Sequence, residues 1–155
     1  ALEPVCERHQ ALLIVNDDWQ LAAELGIDAV HLGEDDGDIE EARRELGPGS
    51  LIGVSCYASV ERARALAPVA DYLAFGALFA SGTKPLARPA PLSLFREVQA
   101  LSLARPLVGI GGIDADNIGS VLDAGADAAA VIGSLFRQGD IRAAAQRLVA
   151  AAARS

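Results

Sequence analysis

A repeating unit runs along the chain and limits the folds that it can adopt. Each unit is a short, continuously apolar segment followed by an amphipathic stretch, and the units recur about every 20 to 35 residues, the length of one strand plus one helix. Continuous apolar strands indicate burial on both faces, as in a parallel sheet. The predicted strands are residues 11–15, 29–32, 51–54, 72–75, 107–110 and 128–132. The predicted helices are residues 19–25, 39–46, 59–67, 92–101, 116–124 and 141–153.

Similar phrases precede three of the predicted strands. They are Leu25-Gly26-Ile27-Asp28-Ala29, Ala67-Pro68-Val69-Ala70-Asp71 and Ala124-Gly125-Ala126-Asp127-Ala128. A glycine in such a phrase ends a helix in the left-handed conformation, and the aspartate then leads into the next strand. Polar residues gather just after the strands, which favours an α/β fold of the TIM (β/α)8 barrel type with its active face built from the βα loops. An open doubly wound sheet is the alternative.

The chain is short for a barrel of this type. It has 155 residues, and six βα units account for essentially all of them, whereas eight units need at least about 200 residues. A six-stranded sheet cut from a barrel would leave two unpaired edges, which favour aggregation. We therefore expect residues 1–155 to form a single barrel domain that holds the six C-terminal βα units, with two more units before Ala1.

Composition and charge restrict the partners. Apolar residues make up 52% of the chain and aromatic residues only 5%, a balance typical of α/β layers. The formal net charge of −8 argues against nucleic acid or an anionic membrane surface as partner, because both need clustered Lys and Arg. No apolar run approaches the roughly 20 residues of a membrane span, and Cys6 and Cys56 are too few for a disulfide framework. We expect a cytoplasmic protein that binds small molecules, and a homo-oligomer is compatible with the sequence.

Carboxylates follow the first two predicted strands. Asn16, Asp17 and Asp18 come directly after the first strand, and residues 34–38 contain four carboxylates after the second. Mg²⁺ prefers one or two protein carboxylates together with substrate phosphates and water, and Asp17 and Asp36 could supply such a site from neighbouring strands. The alternative for the first loop is an aspartate that caps the following helix. His31 is a candidate metal ligand or general base, but a packed, hydrogen-bonded histidine is the favoured interpretation.

Hydroxyl groups and one lysine follow the third and fourth strands. Ser55 has no histidine near it in sequence, so we interpret it as a hydrogen-bonding group for a substrate and not as a nucleophile. Cys56 is interpreted as a small packed residue. Lys84 is the only lysine in the chain, and its place beside Thr83 in a βα loop predicts that it neutralises a phosphate.

Glycine-rich loops follow the last two predicted strands. Gly111 and Gly112 follow residues 107–110, and Gly133 follows residues 128–132. In many barrels the loops after strands seven and eight bind phosphate through backbone N–H groups, and glycine allows the backbone to come close to the phosphate oxygens. If two units precede Ala1, these loops correspond to strands seven and eight.

Taken together, the loops resemble one known family, thiamine-phosphate synthase (thiamine monophosphate pyrophosphorylase), in the superfamily shared with the thiazole tautomerase TenI. Six matching motifs occur in family order over nearly the whole chain, which is far more specific than any one of them. They are Ile14-Val15-Asn16-Asp17-Asp18, Val30-His31-Leu32-Gly33-Glu34-Asp35-Asp36, Ile52-Gly53-Val54-Ser55-Cys56-Tyr57, Asp71-Tyr72-Leu73-Ala74-Phe75-Gly76, Ser81-Gly82-Thr83-Lys84-Pro85 and Val108-Gly109-Ile110-Gly111-Gly112-Ile113.

The resemblance implies a TIM barrel enzyme that joins a hydroxymethylpyrimidine diphosphate to a thiazole phosphate, giving thiamine phosphate and pyrophosphate with Mg²⁺ as cofactor. It assigns Asp17 and Asp36 to the metal, and Asn16, Ser55 and Lys84 to the pyrimidine diphosphate, with Ser55 and Lys84 as the candidate catalytic residues. It assigns the thiazole phosphate to the loops of the last three strands, at Ser81, Thr83, Gly112, Ile132 and Gly133. Gly82, which departs from the family pattern, is a further candidate for substrate binding.

Some positions depart from the family pattern and leave alternatives open. The family's Gln-x-Arg-x-Lys strand would precede Ala1, and Glu34 stands where glutamine is usual. A noncatalytic phosphate-binding barrel is therefore the first alternative. A thiazole tautomerase is a lesser alternative, because that family places a histidine where this sequence has Tyr57.

Overall fold

Six parallel strands form one sheet, and helices follow the strands along the chain. The computed structural model describes residues 2–80 and 89–153. The strands are β1 (Val15–Asn16), β2 (Ala29–Leu32), β3 (Leu51–Tyr57), β4 (Tyr72–Phe75), β5 (Leu107–Ile110) and β6 (Ala128–Ala130). The helices are α1 (Glu3–Arg8), α2 (Trp19–Leu25), α3 (Ile39–Leu46), α4 (Val60–Leu66), α5 (Ser93–Gln99), α6 (Ile118–Asp123), α7 (Gly133–Phe136) and α8 (Ile141–Ala152).

The strand order confirms a barrel-type sheet. Strands pair in sequence order from β1 to β6, and every pair is parallel. In an open doubly wound sheet the order of the strands reverses at a switch point. The order seen here does not reverse, so that alternative is wrong. The structure is the α/β arrangement of a TIM (β/α)8 barrel with six of its strands, a half-barrel.

Most predicted elements are found within a few residues of their predicted bounds. The largest difference is in β1, which begins at residue 15 instead of residue 11. β3 continues three residues beyond its predicted end, and β6 ends two residues before its own. β1 pairs only through Val15 and Asn16 with the strand beside it, and β6 has a paired neighbour on one side only. Two short helices, α1 and α7, were not predicted. They contain no buried residues, so they lack the apolar face from which a helix is predicted.

The core lies between the sheet and the helices that cover it. Phe75 of β4 packs edge-on against Phe95 of α5, with ring centroids 5.7 Å apart, and both side chains are fully buried. The central strands β2 to β4 are mostly buried, as continuous apolar strands predict. The edge strands β1 and β6 are the exceptions, because neither contains a buried residue. Among the described residues, none of the helices combines the length and apolar character needed to cross a membrane.

Aspartates determine where several elements begin. Asp18, Asp38 and Asp140 accept hydrogen bonds from backbone N–H groups in the first turns of α2, α3 and α8. Gly26 ends α2 in the left-handed conformation at φ 70°, as its sequence phrase predicts. The helix-cap interpretation of Asp18 is thereby confirmed, with Oδ1 accepting from Leu21 N at 2.8 Å.

The aspartates that lead into strands tie neighbouring strands together at the end of the sheet opposite the βα loops. Asp71 accepts from Ile52 N at 2.7 Å, and Asp127 accepts from Leu107 N at the same distance. Asp71 also forms a salt bridge of 2.8 Å with Arg43 of α3. One carboxylate therefore joins β3, β4 and α3.

Gly53 of β3 creates space for an aromatic ring inside the sheet. It lies in register with His31 of β2 on one side and Tyr72 of β4 on the other. A Cβ atom at this position would lie 1.8 Å from Cζ of Tyr72, so the ring occupies the volume that any other residue would fill. Tyr72 thus reaches across β3 to His31, and the two rings stack with centroids 5.5 Å apart.

Replacing Asp71 by alanine should lower the free energy of unfolding by about 1–3 kcal/mol, because the Ile52 N–H and the Arg43 guanidinium lose a shared acceptor. Urea denaturation measures the effect. Asp28→Ala is the matched control, because Asp28 holds the same place before β2 and its carboxylate is exposed; it should change stability by less than about 0.5 kcal/mol. Equal losses in the two variants would contradict the assigned role.

Gly53→Ala should lower the free energy of unfolding by about 1–3 kcal/mol, since the new methyl group collides with the Tyr72 ring. Gly49→Ala is the control, because a Cβ at Gly49 meets no atom within 4 Å. Thermal or urea unfolding of both variants decides the matter, and a Gly53→Ala protein as stable as the Gly49→Ala protein would refute the close packing.

Candidate active site

A cleft of about 820 Å³ lies at the carboxyl ends of the strands, lined by residues from the ends of all six strands or from the loops that follow them. Seven of the predicted site residues line it: Asn16, Asp17, Asp36, Ser55, Gly112, Ile132 and Gly133. The remaining predicted site residues, Ser81, Gly82, Thr83 and Lys84, lie outside the described residues. The structure therefore brings together every described residue of the predicted site.

A second cavity, of about 390 Å³, lies at the opposite end of the sheet. Its lining includes Gln99, Arg105 and Asp127, which lie near the amino ends of β5 and β6. None of the predicted site residues lines it. In barrels of this class the amino-terminal face is associated with stability and the carboxyl-terminal face with chemistry, so the larger cleft is the candidate active site.

Two carboxylates line one side of the cleft. Asp17 follows β1 in the left-handed conformation at φ 70°, and its N–H donates to the His31 carbonyl at 2.8 Å. Asp36 follows β2, and its Oδ2 accepts from Gly33 N at 2.7 Å. These backbone contacts hold both loops against β2.

The carboxylates fit a magnesium ion that is completed by a substrate. Within residues 2–80 and 89–153, no group of three or more His, Cys, Asp or Glu side chains could enclose a metal ion. Mg²⁺ is commonly held by only one or two carboxylates, with phosphate oxygens and water as the other ligands. Asp17 and Asp36 in one cleft match that smaller requirement, and metal binding stays a prediction.

Ser55 is hydrogen-bonded to a histidine. The sequence did not predict this contact. The Ser55 Oγ lies 2.9 Å from Nε2 of His31, and Nδ1 of His31 lies 2.9 Å from the Tyr72 hydroxyl. The expectation that Ser55 has no histidine nearby is therefore wrong in space, because parallel pairing of β2 and β3 brings the two side chains together. The interpretation of His31 as packed and hydrogen-bonded is confirmed.

Burial controls the charge state of this group. Desolvation lowers the pKa of His31, and the negative charge of Asp36 opposes that shift only in part. Burial also raises the pKa of the Tyr72 hydroxyl. At neutral pH the imidazole is therefore neutral and the phenol protonated, and both His31 nitrogens are already occupied by Ser55 and Tyr72. A carboxylate that would orient His31 as a base for a serine nucleophile has no place in this arrangement.

The last residues of β3 depart from regular strand pairing. The pairing of β3 with β4 shifts between Ser55 and Tyr57, and Tyr57 takes a left-handed conformation at φ 55°. The Tyr57 hydroxyl accepts from Glu34 N at 3.2 Å, and Arg62 lies 5.8 Å from the ring centroid. Glu34 Oε1 lies 3.8 Å from Arg62 Nη1, so part of the charge that departs from the family pattern is balanced.

Cys56 is a packing residue, as predicted. Its side chain is fully buried, and desolvation raises the pKa of the thiol to about 11 against the smaller opposing effect of Arg62. The thiolate that a reactive cysteine requires is therefore strongly disfavoured.

Glycine and two polar side chains shape the other side of the cleft. Gly112 has φ 67°, and a Cβ there would lie 2.8 Å from the Ala80 carbonyl oxygen, so only glycine fits this close approach to the loop after β4. Asn117 donates to the Gly112 carbonyl at 3.0 Å, and Ser134 donates to the Ile113 carbonyl at 2.7 Å. The loops after β5 and β6 are thus tied together.

Five polar residues that the sequence did not single out also line the cleft: Tyr57, Asp114, Ser134, Arg137 and Gln138. Arg137 follows α7 immediately and supplies an exposed positive charge at the cleft. An arginine a few residues after a glycine-rich strand end is the signal that could have identified it. No side-chain interaction of Arg137 is seen within the described part of the chain.

Comparison with known proteins agrees with this geometry. Residues 1–135 match the model of the family described as Thiamine monophosphate synthase. The thiamine-phosphate synthase of Chromobacterium violaceum is 56% identical over 148 residues, covering 95% of this chain and 70% of the relative. That of Methylobacillus flagellatus is 53% identical over 148 residues, with the same coverage.

A solved structure is also similar. The thiamine phosphate pyrophosphorylase of Pyrococcus furiosus superposes with a TM-score of 0.86 at 34% identity, covering 99% of this chain and 73% of that one. Sequence and fold therefore agree over almost the full length of the chain, and the chain belongs to the thiamine monophosphate synthase family, whose members are transferases of thiamine biosynthesis.

Proposed function

We propose that this chain carries the transferase chemistry of its family: it joins 4-amino-2-methyl-5-hydroxymethylpyrimidine diphosphate to thiazole phosphate, giving thiamine phosphate and pyrophosphate. The observation that carries the proposal is the common position of Asn16, Asp17, Asp36, Ser55, Gly112, Ile132 and Gly133 around one cleft. These residues come from the ends of five strands or the loops that follow them, and core packing does not explain the four polar side chains among them.

The order of the strands separates two halves of the cleft. Asp17 and Asp36 follow β1 and β2, and Ser55 lies in β3. Gly112 and Gly133 follow β5 and β6. The first half has carboxylates and a hydroxyl suited to a diphosphate with a divalent ion. The second half has backbone shaped by glycine and the Arg137 side chain, which suit a phosphate monoester. In the sequence, Lys84 lies after the residues of the first half and before those of the second.

The reaction requires departure of a charged group. The bond between the pyrimidine methylene carbon and the diphosphate oxygen breaks, with its electron pair leaving on pyrophosphate. The ring nitrogen of the thiazole then forms a bond to the methylene carbon of the resulting pyrimidine cation. No enzyme nucleophile is needed, which suits a Ser55 whose histidine partner is neutral and occupied on both nitrogens.

Catalysis in this scheme is positioning and charge stabilisation. Ser55 donates a hydrogen bond to the departing diphosphate, Asn16 orients the pyrimidine diphosphate, and Lys84 neutralises the negative charge that develops. A magnesium ion held by Asp17 and Asp36, when bound, supplies Lewis-acid stabilisation of the diphosphate oxygens. The glycine-shaped loops hold the thiazole phosphate so that its ring nitrogen faces the methylene carbon. A cytoplasmic location agrees with this function, which uses soluble phosphorylated substrates.

The full chain, incubated with both substrates and Mg²⁺, should form thiamine phosphate. Ser55→Ala should lower kcat about 10²-fold, the loss expected when one donor to a developing negative charge is removed. Product is measured by chromatography after oxidation to the fluorescent thiochrome phosphate. Ser93→Ala is the control, since Ser93 is exposed on α5. Binding of thiazole phosphate without any product would instead favour a noncatalytic phosphate-binding barrel.

Asp36→Asn should raise the Mg²⁺ concentration needed for half-maximal rate at least about tenfold, because one anionic ligand is lost. Asp35→Asn serves as the matched control, because Asp35 is an adjacent, exposed carboxylate that does not line the cleft. Initial rates across a MgCl₂ titration give the comparison. The metal assignment fails if the two variants have the same Mg²⁺ dependence as the unaltered protein.

A further inference from the structure

Three polar side chains from three adjacent strands form a connected row at the cleft. The hydroxyl of Tyr72 in β4 lies 2.9 Å from Nδ1 of His31 in β2, and Nε2 of His31 lies 2.9 Å from Oγ of Ser55 in β3. Ser55 lines the cleft and takes part in the proposed reaction. The proposed function gives His31 and Tyr72 no role, although both are largely buried and hydrogen-bonded.

The contacts of Tyr72 decide the direction of these hydrogen bonds. Within residues 2–80 and 89–153, His31 is the one hydrogen-bond partner of the Tyr72 hydroxyl. If Nδ1 of His31 carried the ring proton, it would donate to the phenol oxygen, and the phenol O–H would be left without an acceptor in a half-buried place. The arrangement that satisfies all groups has Tyr72 O–H donating to Nδ1. The ring proton then resides on Nε2.

The consequence reaches Ser55. Because Nε2–H donates to the Ser55 oxygen, the serine hydroxyl proton is not used inside the protein. In the opposite tautomer Ser55 would donate its proton to Nε2 and could only accept hydrogen bonds from a ligand. The tautomer of His31 therefore decides whether Ser55 acts as a donor or an acceptor toward the cleft.

We propose that Tyr72 and His31 are positioning residues that hold the Ser55 hydroxyl as a hydrogen-bond donor toward the cleft. The identity of the acceptor, an oxygen of the departing diphosphate, rests on the proposed function, whereas the direction of the hydrogen bonds does not. A donor at this place strengthens its interaction as negative charge gathers on the leaving oxygen, so the row favours the transition state over the bound substrate.

The packing of the row explains how one arrangement is maintained. The missing side chain at Gly53 allows the Tyr72 ring to cross β3, and the ring stacks on His31 with an interplanar angle of 23°. The imidazole is thus held between a stacked ring and two hydrogen-bond partners, and rotation that would exchange its nitrogens is prevented.

The first test measures the tautomer directly. In the full chain labelled with ¹⁵N-histidine, at about pH 8, where histidine with its ordinary pKa of about 6.5 is neutral, long-range ¹H–¹⁵N spectra should show His31 protonated on Nε2 and unprotonated on Nδ1. His9→Asn assigns the two histidines. Ser55→Ala should retain this tautomer, and Tyr72→Phe should lose the preference for it. A His31 protonated on Nδ1 in the unaltered chain overturns the proposal, whether or not the chain is an active synthase.

The second test links the row to turnover. Tyr72→Phe keeps the stacked ring and removes only the hydroxyl, so it should lower kcat about five- to tenfold, the value of one neutral hydrogen bond, with KM changed less than about twofold. In the Ser55→Ala background the same substitution should have no further effect on kcat, because its effect passes through Ser55. If Tyr72→Phe lowers kcat by the same factor with and without Ser55→Ala, the role of Tyr72 is only structural and the proposal is contradicted. A chain with no synthase activity in any form would overturn the proposed function, and the tautomer measurement would still decide the direction of the row.

Discussion

Parallel pairing of successive strands is the constraint on which the rest of this structure depends. Each strand lies beside its sequence neighbours in the same direction, from β1 to β6. All βα loops therefore lie at the same end of the sheet, and residues from Asn16 to Gln138 line one cleft there. At the opposite end of the sheet, Asp71 and Asp127 accept hydrogen bonds from backbone N–H groups of the adjoining strands. The aspartates that join neighbouring strands thus lie at the end of the sheet opposite Asp17 and Asp36, which line the cleft.

The charge of the molecule shapes how it would bind anions. The chain has a net charge of −8 and a single lysine, so electrostatic attraction from a broad basic surface is absent from its composition. Binding of two phosphorylated substrates would depend on local groups: Mg²⁺ at Asp17 and Asp36, Lys84, Arg137 and backbone N–H groups. The surrounding negative charge would repel any polyanion that cannot contact these positive groups at the same time.

Among the described residues, polar side chains meet inside the sheet at one place, and this place adjoins the cleft. Gly53 provides the space, Tyr72 and His31 fill it, and Ser55 carries their hydrogen bonds to the ligand side. Buried polar rows are costly unless every member is satisfied. Here the hydrogen bonds can all be satisfied in one direction, and the remaining donor faces the site where a charged leaving group is expected.

The sequence by itself determined the fold class, the existence of most elements and the family. Hydrophobic period, helix-ending glycines and capping aspartates are local signals, and they predicted β2, β4, β5, α2 and α3 with the observed bounds. β1 and β3 were predicted less well, because the extent of a strand depends on pairing with its neighbours and not on apolar content alone. The site motifs also come from local sequence, and seven of the predicted residues do line one cleft. Only the tertiary structure decided that His31, 24 residues from Ser55, is its hydrogen-bond partner and that Tyr72 reaches it across Gly53. Such contacts depend on strand register and on the volume left by an absent side chain, and neither is visible in the order of residues along the chain.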